Sequence, residues 1–246
     1  MKRILVLLSL AIVIFVPPVF GGVTLGSAET FAVLGASTVT NTGSTEIRGN
    51  LGVTPGAAIV GFPPGIMQVG IIHTNDAVAV QAQIDATTAY NAAAALPCDS
   101  NMTGVDLGGL TLAPGVYCFD TSAQLTGALV LDFQGGTSGF VFQIGSTLTT
   151  ASGSTVSLEN CTLHCPVIWQ VGSSATLGTS TKFSGDIIAL DSITLTTSVY
   201  LCGRALALTG AVTMDTNEVF FMGTLTPPGP ATVIGAVQIP IPTELR

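Results

Sequence analysis

Threonines recur at alternate positions in several short apolar segments of this 246-residue chain. The segment ITLTTS at 193–198 is one case, and STLTT at 146–150 and STVT at 37–40 are others. Such alternation is typical of a strand with one buried face, and it leaves the threonine hydroxyls on the solvent side. Because hydroxyls both donate and accept hydrogen bonds, this pattern favours the ordering of water over bond-making chemistry.

Side chains that support acid–base or metal chemistry are scattered along the sequence. A solenoid enzyme that cleaves polysaccharides needs paired carboxylates, or an acidic cation site with a basic residue nearby. Here the acids are dispersed, and we interpret Asp186 and Asp191 as turn or edge residues. His73 and His164 are isolated, and no Cys-His cluster has the spacing of a zinc site. We therefore expect no catalysis, no cofactor, no metal and no small-molecule substrate.

The composition excludes several classes of partner. Only 8% of the residues are charged, against about 25% in a typical soluble domain. The formal net charge is −8. Nucleic acids and anionic membranes both require a basic face, so neither is expected as a partner.

The two ends of the chain differ from its middle. Residues 1–22 have a basic start, an apolar run from Ile4 to Val16 and then prolines and small residues, which predicts a secretory signal peptide. The protein is therefore expected to be secreted and extracellular, with one domain at 23–224. Five prolines after residue 226 predict an extended Pro-rich tail at 225–246.

The sequence contains five cysteines, at positions 98, 118, 161, 165 and 202. Secretion permits disulfides, and an odd number leaves one cysteine unpaired within a monomer. We favour Cys98–Cys118, because the first follows a predicted helix and the second closes the next strand-like segment. Cys161–Cys165 would form a tight local loop. Neither pairing follows from the sequence alone, and the role of Cys202 stays open.

A repeat of 18–20 residues occupies the second half of the chain. We align its copies at Val167, Ile187 and Ala205, with inner segments ATLGTSTKF at 175–183, ITLTTSVYL at 193–201 and VTMDTNEVF at 212–220. This period suits one coil of a β-solenoid, in which each coil buries its apolar side chains against its neighbours. The expected fold is mainly β, a right-handed parallel β-solenoid with triangular coils.

An alanine-rich segment interrupts the strand-like pattern at about 75–96. Thr74 or Asn75 is the expected N-cap, and Pro97 ends the segment. The segment predicts one helix about 30 Å long that packs alongside the solenoid.

Stacked coils would align the outward threonines in a grid. Neighbouring strands lie about 4.8 Å apart, and alternate residues lie about 6.7 Å apart along a strand. β-Branching restricts the rotamers of each side chain, so the grid would be stiff. The predicted site comprises ten threonines: Thr38, Thr40, Thr147, Thr149, Thr176, Thr179, Thr194, Thr196, Thr213 and Thr216.

Several long motifs resemble the secreted microbial ice-binding proteins. The segments that carry the resemblance span residues 24–222 and include TFAVLGASTVTNTG at 30–43, DLGGLTLAPGVYCF at 106–119, FQIGSTLTTASGS at 142–154 and WQVGSSATLGTSTKF at 169–183. The resemblance implies a discontinuous β-solenoid beside one long helix, with coils whose order in space differs from their order in sequence. It also implies a monomer that adsorbs to the ice crystal surface through a flat Thr/Ser/Ala face and inhibits ice growth and recrystallisation. The alternative is a secreted adhesin or structural solenoid module.

Overall fold

The structure, a computed structural model, describes residues 23–161 and 165–221. The predicted signal peptide, the segment with His164 and the predicted tail lie outside these residues. The described chain forms three parallel sheets, and we name them A, B and C in the order in which the chain visits them.

The strands are short and alternate among the three sheets. Sheet A has nine strands: β1 (Phe31–Gly35), β4 (Asn50–Val53), β7 (Ile72–Thr74), β8 (Ser100–Asn101), β10 (Gly115–Phe119), β13 (Phe140–Ile144), β16 (Val167–Val171), β19 (Asp186–Ala189) and β22 (Ala205–Ala207). Sheet B has seven: β2 (Thr38–Asn41), β5 (Ala58–Val60), β11 (Ala123–Leu125), β14 (Leu148–Thr150), β17 (Ala175–Leu177), β20 (Ile193–Leu195) and β23 (Val212–Met214). Sheet C has eight: β3 (Glu46–Arg48), β6 (Ile66–Val69), β9 (Thr111–Leu112), β12 (Ala128–Asp132), β15 (Thr155–Glu159), β18 (Lys182–Ser184), β21 (Tyr200–Cys202) and β24 (Glu218–Phe220).

The coils do not stack in the order of the sequence. In sheet A the strands follow one another as β7-β4-β1-β22-β19-β16-β13-β10-β8. The coil formed by β1–β3 therefore stacks on the last coil, β22–β24, while β8 lies at the far end. The structure confirms the predicted β-solenoid and its discontinuous order.

The inner faces of the three sheets enclose one apolar core. The inward side chains of β17, β20 and β23 in sheet B are at most 1% exposed, and they are Ala175, Leu177, Ile193, Leu195, Val212 and Met214. Phe142 and Trp169 stack inside the solenoid with their ring centroids 3.8 Å apart. Because alternate strand residues face the core, burial fixes the register between coils.

The predicted start of the repeat in sheet A is wrong by two residues. Ile187 and Ala205 are opposite each other, but their partner in β16 is Trp169 rather than Val167. Both Val167 and Trp169 are buried. A shift of two residues preserves the buried face of a strand, and this explains why the sequence pattern did not distinguish them.

The α-helix α1 (Ala77–Ala94) follows β7 and precedes β8. Its N-cap is Asp76, whose carboxylate accepts a hydrogen bond from the Ala79 amide at 2.9 Å. The prediction of Thr74 or Asn75 at this position is wrong, and Asn75 instead has a positive φ of 48°. Because β7 and β8 lie at opposite ends of sheet A, α1 carries the chain between the two ends of the solenoid. Within the described ranges, no helix has both the length and the hydropathy that a membrane span requires.

Helix α1 covers the outer face of sheet A with a strip of buried alanines, Ala79, Ala82, Ala86, Ala89 and Ala93. Small side chains allow the helix to approach the sheet closely. The alanines pack against apolar residues on the outer face of sheet A, such as Leu34, Ile188 and Leu206. Two glutamines fasten the helix to the sheet. The Gln83 amide donates to the carbonyls of Ala207 and Leu208, and the Gln143 amide donates to the carbonyls of Ala93 and Leu96.

Two disulfides and one free cysteine are present in the described chain. Cys98 is bonded to Cys118, which joins the segment after α1 to β10. Cys161 is bonded to Cys165, and Cys202 is free on the outer side of sheet C.

The alanine strip generates a prediction about stability. Replacing the fully buried Ala86 by leucine should lower the free energy of unfolding by about 1–3 kcal/mol, because the extra atoms push α1 away from sheet A. Circular dichroism should show Tm falling by about 2–4 °C for each kcal/mol lost. Ala94→Leu, on the exposed side of the same helix, is the matched control and should leave Tm nearly unchanged. Equal melting of both variants would contradict the packing of the strip against the sheet.

Candidate functional site

The outer faces of the three sheets differ in what covers them and in their charge. Sheet A lies under α1. Sheet C carries both signs of charge on its outer face, including Glu46, Arg48, Lys182 and Glu218. The strands of sheet B carry no charged residue and have nothing packed on their outer face in the described part of the chain. Sheet B is therefore the surface on which an ordered array of uncharged groups meets solvent.

Five threonines form a continuous row across the middle of sheet B. Thr149 is opposite Thr176, Thr176 is opposite Thr194, Thr194 is opposite Thr213, and Thr213 is opposite Thr40. We call this row the threonine ladder. Gln124 continues it at one end and Val60 at the other. Four strand intervals separate the outer threonines, so the ladder is about 19 Å long.

The ladder is regular because sheet B keeps one register throughout. Each of its strand pairs runs without a shift. Sheets A and C each have an irregularity, between Phe31 and Val33 in one and between Ile47 and Arg48 in the other. An uninterrupted register keeps the side chains of one row at a common height and spacing.

The ladder hydroxyls are available to solvent. Within residues 23–161 and 165–221, none of the five donates or accepts a hydrogen bond with another protein group, and each residue is exposed or half-buried. Neighbouring hydroxyls behave differently. Thr196 donates to the Leu177 carbonyl at 2.7 Å, and Thr147 donates to the Ser122 hydroxyl at 2.9 Å. Water is thus the partner left for the ladder.

A second row lies two residues before the ladder position of each coil, within or immediately before the strand. All of its members have small side chains, some polar and some apolar, and they are Ser122, Thr147, Ser174, Ser192, Ala211, Thr38 and Ala58. Sequence reasoning found only the two threonines of this row. The serines and alanines of this row could have been found from their position, because each lies two residues before a ladder position. A search for threonine alone does not use this spacing.

The ten predicted threonines fall into four groups. Five form the ladder, while Thr38 and Thr147 lie in the second row. Thr196 lies two residues after Thr194, in a row on the other side of the ladder. That row is irregular because its other members include Ala151, Gly178 and Asp215. Thr179 and Thr216 lie outside the strands of sheet B, in the turns that lead into sheet C.

These turns explain why the alternating pattern stops. Ser180, Ser198 and Thr216 have positive φ values of 59°, 61° and 53°, and backbone bonds stack them in one column at the corner between sheets B and C. A left-handed residue changes the direction of the chain and ends the strand alternation. Thr179 still approaches the sheet, because its hydroxyl is 3.4 Å from that of Thr196.

A buried polar cluster holds the two halves of the ladder together where the first and last coils meet. The side-chain amide of Asn217 donates to the Thr196 carbonyl at 2.6 Å, and its carbonyl oxygen accepts from the Asp215 amide at 2.7 Å. The Asn217 backbone amide donates to the Thr45 hydroxyl at 3.0 Å. Asn217 and Thr45 are at most 3% exposed. This cluster therefore fixes the position of Thr40 relative to Thr213.

Asp215 is the one carboxylate that borders the ladder in the described chain. The Thr197 hydroxyl donates to it at 2.6 Å and the Thr216 hydroxyl at 3.1 Å. These hydrogen bonds, with the Thr197 bond the stronger cause, lower the pKa of Asp215 below its ordinary value. The carboxylate is thus ionised and already partly satisfied by protein hydroxyls.

The interpretation of Asp186 as a turn or edge residue is wrong. Asp186 begins β19 and forms an ion pair with Arg204 at 2.9 Å, under the segment that precedes β1. The partner lies 18 residues away in the sequence and becomes adjacent only through stacking of coils. In the described residues, no group of three or more His, Cys, Asp or Glu side chains could hold a metal ion.

Comparison with known proteins gives consistent matches. The family described as Ice-binding-like matches residues 33–220. An ice-binding protein of Nostoc sp. (strain HG1) is 60% identical over 198 residues, which cover 79% of this chain and 72% of the relative. The crystal structure of an ice-binding protein from an Antarctic biological consortium superposes with a TM-score of 0.79 at 48% identity, covering 83% of this chain and 93% of that one. The ice-binding protein of the Antarctic ascomycete Antarctomyces psychrotrophicus gives 0.75 at 40% identity, covering 80% and 97%.

Proposed function

The chain belongs to the Ice-binding-like family, and from this premise we propose that it binds ice through the outer face of sheet B. The observation that carries the proposal is the threonine ladder, five in-register threonines whose hydroxyls have no protein partner in the described structure. Thr38, Thr147 and Thr196 flank the ladder and widen the face, whereas Thr179 and Thr216 lie at its rim.

Adsorption follows from the stiffness and chemistry of this face. Each threonine presents one hydroxyl and one methyl group, and its β-branched side chain has few rotamers. The backbone hydrogen bonds of sheet B hold these groups at spacings of about 4.8 and 6.7 Å. Water held in such an array occupies near-lattice positions and merges with an ice surface. Ice between bound molecules must then grow with a curved front, which inhibits growth and recrystallisation.

We further propose that the protein acts as a secreted, extracellular monomer whose partner is the ice crystal surface. The basic and then apolar sequence of residues 1–22 supports export. The low charge of the chain supports an uncharged partner, because charged side chains hold their own hydration shells and disturb an ordered water layer. Nothing in this mechanism requires a catalytic group or a cofactor.

Replacing two adjacent ladder residues tests the face. In a Thr176→Tyr, Thr194→Tyr variant the rings would stand above the plane of the grid and separate it from the ice. Enrichment in ice during ice-affinity partitioning should fall about tenfold or more, which corresponds to at least about 1.4 kcal/mol of binding free energy. Circular dichroism should confirm that the variant is folded.

The matched control carries the same rings on sheet C, as Thr111→Tyr, Ser157→Tyr, both at exposed positions. It should partition like the unmodified protein. Loss of partitioning in the control but not in the ladder variant would move the ice-binding face to sheet C. Exclusion of the folded, unmodified protein from ice would favour the adhesin alternative.

Ice adsorption should not depend on pH between about 5 and 8. Asp215 is the titratable group beside the ladder in the described structure, and its lowered pKa means that its ionised form is favoured in the folded state. Its stabilising effect is complete above the ordinary aspartate pKa of about 3.9 and is lost only as the pH falls below it. Partitioning measured at pH 5, 6.5 and 8 should agree. A change across this range that Asp215→Asn abolishes would show that the carboxylate titrates where we expect it to be ionised.

A further inference from the structure

Four buried polar side chains stand in one column at the corner between sheets B and C. Each immediately precedes a strand of sheet C, and each is at most 3% exposed. Backbone hydrogen bonds align the column, because the first amide of a sheet C strand donates to the column residue of the neighbouring coil. A buried polar group is unfavourable unless it is hydrogen-bonded, so these positions require partners. We call this column the corner row, and its members are Ser154, Thr181, Asn217 and Thr45.

The first two members bond to the backbone of the neighbouring coil. The Ser154 hydroxyl donates to the Leu125 carbonyl at 3.0 Å, and the Thr181 hydroxyl donates to the Ala151 carbonyl at 3.2 Å. Leu125 is the last residue of β11, and Ala151 directly follows β14. Each bond therefore joins the end of a sheet B strand to the next coil of the stack.

The other two members make the same kind of connection near the junction of the first and last coils. The side-chain amide of Asn217 donates to the Thr196 carbonyl, which directly follows β20 in the neighbouring coil. The Thr45 hydroxyl accepts from the Asn217 backbone amide, so it joins β2 and β3 to the coil of β22–β24. The corner row thus connects coils that are adjacent in space whether or not they are adjacent in the sequence.

One coil has an apolar residue in the column. Val199 lies between Thr181 and Asn217 and is 1% exposed. Its side chain has no hydrogen-bonding group. In this coil the hydroxyl of Thr196 donates to the Leu177 carbonyl at 2.7 Å, and Leu177 is the last residue of β17 in the neighbouring coil. The bond that Val199 cannot make is therefore supplied from three residues earlier in the chain.

These bonds correspond to the intervals of the threonine ladder. Four intervals separate the five ladder threonines, and each interval lies between two coils that one such bond connects. The strands of sheet B have only three or four residues, so few backbone hydrogen bonds hold their ends. In order from Thr149 to Thr40, the connecting side chains are those of Thr181, Thr196, Asn217 and Thr45.

We propose that the corner row is a positioning device for the ladder, and that Thr196 takes this role in the coil of Val199. The inference rests on the proposed function of sheet B. Each bond restrains the end of a sheet B strand relative to its neighbour, so the ladder hydroxyls and methyl groups keep a constant spacing. Thr196 then acts on ice binding through its bond to Leu177 and not through contact of its hydroxyl with ice.

Moving the hydroxyl from position 196 to position 199 tests the role of Thr196. Thr196→Val should lower enrichment in ice-affinity partitioning about threefold, the factor that corresponds to one typical net hydrogen bond. Adding Val199→Thr places a hydroxyl in the corner row, where the Gly178 carbonyl is equivalent to the Ala151 carbonyl that Thr181 binds. Partitioning should then return to that of the unmodified protein.

This rescue cannot come from contact with ice, because position 199 is buried. Val199→Thr alone, a change between side chains of nearly equal size, should partition like the unmodified protein. A folded double variant that partitions no better than Thr196→Val would show that Thr196 acts by surface contact, and this would overturn the proposal.

Thr181 provides a second test at a position that is 0% exposed. Thr181→Val should lower partitioning about threefold, and Thr181→Ser, which keeps the hydroxyl, should restore it. Ala86→Leu is the matched control, because it disturbs the packing of α1 on sheet A and leaves the corner row intact. It should partition like the unmodified protein even where its Tm is as low as that of Thr181→Val. Equal partitioning of these two variants would overturn the proposal.

Hydrogen exchange gives a measurement that does not involve ice. The Thr196 amide donates to the Leu177 carbonyl at 3.1 Å and lies at the end of a sheet B strand. Its exchange should be about threefold faster in Thr196→Val and should return to the original rate when Val199→Thr is added. An unchanged rate in Thr196→Val would overturn the proposal. Partitioning of the unmodified protein tests the proposed function by itself, so its failure is distinguished from a failure of the corner row, which affects only the variants.

Discussion

The parallel register between consecutive coils is the constraint on which the rest of the structure depends. Each coil contributes only two to five residues to a sheet, too few to form a core alone, so its apolar side chains are buried only against the coils above and below. A slip of one residue would turn Ile193 and Leu195 to solvent and Thr194 into the core. The core therefore selects one register, and that register sets the threonines in a straight row. The regular outer surface is a consequence of the packing inside.

The discontinuous winding makes the ladder depend on a contact between distant parts of the sequence. Thr40 and Thr213 are neighbours in space because β2 pairs with β23. This pairing requires α1 to return the chain to the far end of sheet A, so that the later coils wind back toward β1. The alanine strip and the two glutamines that fasten α1, together with the Asn217–Thr45 hydrogen bond at the junction, thus support the face without being part of it.

The periodicity of the sequence predicted those features of the structure that depend on residues close together in the chain. It failed for features that are determined by the stacking of coils or by turn geometry. The inward residues of sheet B and the helix at 77–94 follow from local patterns. The start of the repeat at Val167 was wrong because Val167 and Trp169 both face the core. The ion pair of Asp186 with Arg204 joins two coils, and no local pattern marks it. The order of the coils in space came from the family resemblance alone, since an 18-residue period is the same in either order.

The choice of threonine is explained by what the strand and the solvent each require. A β-branched side chain suits a half-buried pleated strand, and valine would satisfy that requirement equally well. Valine, however, offers no hydrogen bond to water, and lysine or glutamate would bring mobile side chains with their own hydration shells. Threonine combines a stiff side chain with one hydroxyl and one methyl group, so the backbone spacing is transmitted to the surface. Asp215 lies beside the ladder, but the Thr197 and Thr216 hydroxyls already donate to its carboxylate, which leaves fewer of its lone pairs to organise water.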